Sequence, residues 1–391
     1  MRLFDNMKRD YTGPALHSES KFYYMNRSAR SEVNNIRIKL EDWFTHYPLK
    51  VRLEFRQRFR SNNNAQYYSS FFELFLHELL LKLNCRVSVH PNLSGATTKR
   101  PDFLITPPNG KKFYMEAVVV TNESDKEVAA RNRENVVYDA LNRLKSPNFF
   151  IGLNISGSPN TSPSAKRMRK FIKDRLDLLD PDQIIKDYEK NGTKNLPKWN
   201  FEHDGWKVEF YPIPKKPEKR GKPDTRPLGL FSGDIHMIET RTAIRDAIIA
   251  KANSYGKLNL PYIIAVNALG EHVEDIDIME ALFGREQCVF KWGKPVHGKP
   301  KMQRVPDGAW TSKSGSRYSR VSAALIAVKL LPWNIPDAFI RLCHNPWASN
   351  KYISELTRLH QFVPIDNKIK LITGESLGTI LNISSGWPAD N

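Results

Sequence analysis

Between Tyr68 and Val120 the spacing of apolar residues passes from helical to alternating and then to a near-continuous run, which predicts a helix, a strand and a hairpin. In Phe71–Leu83, the residues Phe72, Phe75, Leu76, Leu79, Leu80 and Leu83 share one broad arc at about 100° per residue. Glu78 and Lys82 fall on a separate stripe, expected to face solvent as a helical ion pair. Glu73 and His77 border the apolar arc, where an unpaired carboxylate is costly. Arg86-Val-Ser-Val-His90 alternates as a strand does. Two apolar runs, Phe103–Ile105 and Phe113–Val120, flank Asn109-Gly110, a strong tight-turn signal. The second run has little polar content apart from Glu116 and reads as a central strand covered on both faces.

Folding that hairpin about Asn109-Gly110 makes Asp102 and Glu116 cross-strand neighbours. Like charges so close repel unless a cation lies between them. An all-oxygen donor set favours magnesium, manganese or calcium over zinc.

The same patterning predicts further elements. Ser31–His46 is a helix with Trp43 and Phe44 on its apolar side, and Lys50–Arg60 alternates apolar and basic residues as a half-buried strand or helix would. Two helix-then-strand units follow, 123–155 and 239–267, and both suit the slot after the Glu116 strand. The second helix ends at Gly256 and carries Lys251 and Tyr255 on one face, four residues apart. Trp206–Pro214 and Val321–Val328 read as strands. Lys166, Arg167, Arg169, Lys170, Lys173 and Arg175 crowd one helix, as a phosphate-binding or a solvated face. Lys215, Lys216, Lys219, Arg220, Lys222 and Arg226 lie among prolines and glycines, predicting a mobile cationic loop against a nucleic-acid backbone. Residues 285–320 interleave basic groups with Trp292, Trp310 and Tyr318, a composition suited to backbone contact with base stacking. His344, in a turn bounded by Asn345 and Pro346, reads as a structural hydrogen-bonder.

The chain has 391 residues and a formal charge of +18. Such basicity points to a polyanion, nucleic acid before membrane, rather than a small neutral metabolite. Three cysteines without metal-ligand spacing, no apolar leader at the start and no apolar run long enough to span a bilayer predict a cytoplasmic protein. A P-loop, a nucleotide fingerprint and zinc-type pairs are all lacking, which argues against an ATPase or a zinc enzyme.

A helix Glu, then Pro101-Asp102, then a strand Glu resembles the PD-(D/E)XK nuclease superfamily, with its restriction-endonuclease-like fold. The resemblance implies an α/β (α+β) fold, a mixed-sheet αβββαβ core flanked by helices. It implies Mg²⁺ (or Mn²⁺) held by Asp102 and Glu116 with the Ala117 carbonyl, and Glu73 serving a second metal or its waters. The family's Lys, two residues after the strand Glu, is Val118 here. Lys251 is the candidate for the missing positive charge, with Tyr255 beside it and His77 as a further candidate. The expected organisation is a basic accessory region over 1–60, a nuclease core over 61–284 with an insertion at about 156–238, and a basic, aromatic accessory region over 285–391. The expected function is metal-dependent hydrolysis of nucleic acid, DNA favoured, in restriction or phage defence, with a homodimer possible. The alternatives are an inactive nucleic-acid-binding protein on the same fold and a basic regulatory protein that binds an acidic partner.

Overall fold

The computed structural model describes residues 1–391 except 94–98, 122–123, 193–195, 223–225, 234–239, 257, 271–272, 290–300, 353–354, 366–367 and 390–391. The chain divides into two compact units, one of residues 1–13, 20–122 and 238–391, the other of 14–19 and 123–237.

The first unit is built on an eight-stranded mixed sheet. Its spatial order is Arg86–Val89, Phe103–Thr106, Phe113–Val120, Tyr262–Ala268, Ala323–Val328, Phe339–His344, Gln361–Ile365 and Lys368–Ile372. The first three strands are antiparallel neighbours, whereas Phe113–Val120, Tyr262–Ala268 and Ala323–Val328 run parallel. Parallel strands are covered on both faces, and every residue of Tyr262–Ala268 is buried. Alternate side chains go to opposite cores. Met115, Ile263, Ala265 and Leu325 join the N-terminal helices, while Ile264, Val266, Ala324 and Ile326 join helices Thr240–Ala252 and Asp275–Phe283.

The helix predicted over 71–83 runs Asn64–Lys82, capped by Asn63, whose side chain accepts the Ala65 N–H at 2.8 Å. It is buried on all sides from Ser70 to Leu80. A helix apolar nearly all round belongs in a core, and this corrects the solvent stripe expected for Glu78. That carboxylate is buried, 2.8 Å from His46 Nδ1 and 3.7 Å from Lys82. The signal lay in Ser31–His46, which packs against this helix and brings His46 with it.

The unit boundaries differ from the expected segmentation. Phe22, Trp43, Phe44, Phe55 and Phe59 belong to the same buried cluster as Phe72 and Phe75, so residues 1–13 and 20–60 form one unit with the sheet rather than a separate accessory region. Lys50–Arg60 resolves as helix Arg52–Phe59, burying Phe55 and Phe59. The C-terminal third supplies four strands of the sheet. The inserted segment begins at 123 rather than 156, so it is Thr240–Ala252 with Tyr262–Ala268 that follows the Glu116 strand in the sheet.

The second unit is a four-stranded sheet in the order Trp199–His203, Trp206–Pro214, Phe149–Ser156, Leu228–Gly233. Helices Asp125–Leu141, Ala165–Leu176 and Pro181–Asn191 accompany it, around a core that includes Val137, Ile151, Leu153, Met168, Ile172 and Trp206. Residues 14–19 belong to it because the buried Asp139 carboxylate accepts the N–H groups of His17 (2.7 Å) and Ser18 (2.8 Å).

No helix among the described residues is long and apolar enough to cross a membrane.

Candidate active site

Strand register aligns the site. Val89 pairs with Phe103 and Phe103 with Met115, so one residue further along His90, Asp102 and Glu116 fall in a transverse row. The His90 N–H donates to the Asp102 carbonyl at 2.9 Å. His90 has φ +47, a left-handed conformation unusual outside glycine and asparagine. Its Nε2 lies 3.9 Å from Glu73 Oε1 and 4.0 Å from Asp102 Oδ1.

Each carboxylate has its own partners. Glu116 is buried, with Lys251 Nζ 2.6 Å from Oε1 and the Tyr255 hydroxyl donating to Oε2. That hydroxyl is also 3.0 Å from the Arg100 carbonyl, just before Pro101-Asp102. The helix expected to run to Gly256 ends at Ala252, so Lys251 reaches Glu116 from its last turn, packed against the Glu116 strand, and Tyr255 reaches it from the turn that follows. Asp102 Oδ2 accepts the Ala117 N–H at 2.7 Å. Burial first, then the negative fields of Glu116 and Glu73, push the Asp102 carboxyl well above the ordinary carboxylate range, to about 8. Glu73 accepts from Arg58 at 2.7 and 3.2 Å and from the Tyr47 hydroxyl.

The structure thus brings Glu73, Asp102, Glu116, Lys251 and Tyr255 to one end of the sheet. His77 packs instead, its ring 5.0 Å from Tyr47 and 6.4 Å from Phe103, and burial lowers its pKa to about 4. Val118 packs against the cluster that contains Tyr255 and Ile264. Tyr47, Arg58 and His90 were not singled out from the sequence. Arg58 lies in the alternating basic stretch, and His90 needed only the register of its strand carried one residue further.

Among the described residues, no group of three or more His, Cys, Asp or Glu side chains is arranged as it stands to hold a metal ion. Magnesium asks for less, often one or two carboxylates with retained waters. Asp102 and Glu116 fit that demand by their chemistry. They are oxygen donors in adjacent register, with Asp102 raised first by burial and then by its acidic neighbours. Glu116 and Glu73 each already accept hydrogen bonds on both oxygens, so an ion there would use their remaining lone pairs, whereas Asp102 accepts the Ala117 N–H on Oδ2.

The basic segment 215–226 belongs to the second unit, and half of its predicted cations are anchored there. Lys215 is buried, donating to the Ser146 carbonyl at 2.8 Å and lying over the Phe150 ring. Arg220 pairs with Asp182 at 2.7 Å, and Arg226 donates to the carbonyls of Pro14 and Ala15. Lys216, Lys219 and Lys222 are exposed. A wholly mobile cationic loop is therefore corrected to an anchored segment with three exposed lysines. Of the predicted stacking residues, Trp310 is buried against Phe283, and Trp292 lies outside the described residues. His344 faces Gln361, its Nε2 2.9 Å from the amide oxygen, in the structural role expected of it.

Compared with protein-family models, with curated proteins and with solved structures, the chain finds no match in any of the three.

Proposed function

We propose that this chain is a metal-dependent nuclease of the PD-(D/E)XK kind, hydrolysing phosphodiester bonds of nucleic acid, DNA favoured. The observation that carries the reading is the contact of Lys251 with Glu116, next to Asp102 in the same row. It gives the carboxylate pair a fixed positive charge where Val118 leaves the motif Lys absent. The order helix, three strands, helix, strand supports the same reading, as does the parallel pairing of Phe113–Val120 with Tyr262–Ala268.

In this reading Asp102 and Glu116 hold the divalent cation. When bound, the cation neutralises the scissile phosphate and makes a water acidic enough to attack. Lys251 holds Glu116 Oε1 and brings a donor to the phosphate or the water. Tyr255 fixes the second Glu116 oxygen. Glu73 orients Arg58, whose guanidinium is one-third exposed and able to face an anion.

The test is cleavage of plasmid, linear DNA and RNA with Mg²⁺ and with Mn²⁺, comparing wild type with Asp102→Ala and Glu116→Ala. Folding of each variant is checked by its melting curve. Loss of cutting in both folded variants is expected, and normal cutting by either one removes the assignment. Val118 favours one second reading, a nucleic-acid binder that has lost hydrolysis. Duplex binding with no cleavage under either metal selects it.

A further inference from the structure

His90 is the member of the transverse row to which the nuclease reading gives no task. It follows Arg86–Val89, an edge strand of the large sheet, and its N–H is tied to the Asp102 carbonyl at 2.9 Å. Its Nε2 lies 4.0 Å from Asp102 Oδ1 and 3.9 Å from Glu73 Oε1. Among the described residues, neither the imidazole nor Asp102 Oδ1 takes part in a hydrogen bond, since the Ala117 N–H goes to the other Asp102 oxygen. Two unengaged donor atoms, one nitrogen and one oxygen, are therefore neighbours in the site.

Their separation decides between two explanations. An imidazolium that only balanced the acids would close to hydrogen-bond length, as His46 does on the buried Glu78 carboxylate at 2.8 Å. Two atoms that ligate one ion through bonds of about 2.1 Å stand about 3.0 Å apart when cis and about 4.2 Å apart when trans. The His90–Asp102 distance lies in the second range and outside the first. Glu73 is the poorer partner for such an ion, because Tyr47 and Arg58 already donate to its two oxygens.

We infer that His90 Nε2 ligates the site's cation together with Asp102 Oδ1, and that this nitrogen tunes the site to a first-row transition cation, Mn²⁺ before Mg²⁺. Magnesium takes hard oxygen ligands and keeps its waters, whereas an imidazole nitrogen suits first-row transition ions. The donor set is then mixed rather than all oxygen, as the acids alone had suggested. This deepens the nuclease reading, on which it rests for the presence of a cation.

The backbone at this position supplies its own controls, because glycine and asparagine both accept a φ of +47. His90→Gly removes the imidazole and His90→Asn offers an amide oxygen in its place; melting curves in EDTA confirm that both fold. Mn²⁺ and Mg²⁺ are titrated calorimetrically into the full chain without nucleic acid. The Mn²⁺ complex is then examined by pulsed EPR for modulation from a directly bound nitrogen. Wild type is expected to bind Mn²⁺ more tightly than Mg²⁺ and to show that modulation. His90→Gly should lose the modulation and about tenfold or more in Mn²⁺ affinity, while Mg²⁺ affinity changes little. His90→Asn should also lose the modulation and narrow the gap between the two cations. Nitrogen modulation that persists in His90→Gly, or Mn²⁺ affinity equal in the two proteins, overturns the ligand, and cleavage of DNA by wild type would leave the nuclease reading intact. Modulation lost in His90→Gly, with no cleavage of DNA or RNA by wild type under Mn²⁺, upholds the ligand and removes the nuclease reading. A chain that binds neither cation overturns both.

Discussion

Lys251 Nζ lies 2.6 Å from Glu116 Oε1, although 135 positions separate them in the chain. The contact puts an ammonium on a buried carboxylate that has a second acid, Asp102, for a neighbour. Lys251→Met should therefore lower cleavage of supercoiled plasmid by about 10²-fold or more, the usual cost of removing one preorganised charge donor. Lys251→Arg should recover part of that loss.

Asp102 makes the opposite contribution. Its folded pKa is raised to about 8 from 3.8, so between those values the folded protein holds a proton that the unfolded chain has lost. Stability from this group is full below pH 3.8 and falls as pH rises toward 8. Asp102→Asn should raise the melting temperature at pH 7.5 without metal while abolishing cleavage. Melting curves at pH 5 and 7.5 check the sign, since the gain should shrink at the lower pH.

His77 gives the acid limb. Burial lowers its pKa from 6.5 to about 4, so in that window the unfolded chain binds the extra proton. Stability is therefore present above pH 6.5 and is lost as pH falls toward 4. His77→Phe should flatten the fall in denaturant midpoint between pH 6.5 and 4.5, and it should leave the plasmid-cleavage rate at pH 8 largely unchanged.

Arg58→Met strands Glu73 in the core. The expected destabilisation is below the roughly 3–5 kcal/mol of a fully buried pair, since Arg58 is one-third exposed. Arg58→Met/Glu73→Leu should recover most of it in urea melts, because no charge is then left unpaired.

Gly284→Ala places a methyl on the Val305 carbonyl and a side chain at φ +93. A loss of at least about 2 kcal/mol in denaturant unfolding is expected. Gly110→Ala, equally left-handed but with open space around it, should cost less.

The local pattern carried much of this architecture. The helix through Glu73, the 103–120 hairpin and the strand Trp206–Pro214 follow from spacing and turn chemistry alone, and the Asp102–Glu116 pairing follows from the register. Lys251 was legible because the apolar spacing of its helix and the glycine that follows at 256 mark a helix end before a strand, although the helix itself stops at Ala252. What stayed hidden depended on long-range partners. Glu78 looked solvated until His46 arrived from another helix, and Arg220 looked mobile without Asp182 in view. Period and charge cannot say which of two helix-plus-strand units pairs with the Glu116 strand. That choice is made by packing between segments more than a hundred residues apart.

The wide separation of Glu116 from its ammonium partner also sets an order of events during synthesis. The acidic pair emerges from the ribosome early, yet the helix bearing Lys251 and the strand that locks it follow only after the whole inserted unit has been made. At about 5–20 residues per second that interval is on the order of ten seconds. The carboxylate pair thus spends that interval without its ammonium partner, and the Glu116 contact forms only once the segment after the inserted unit has been made.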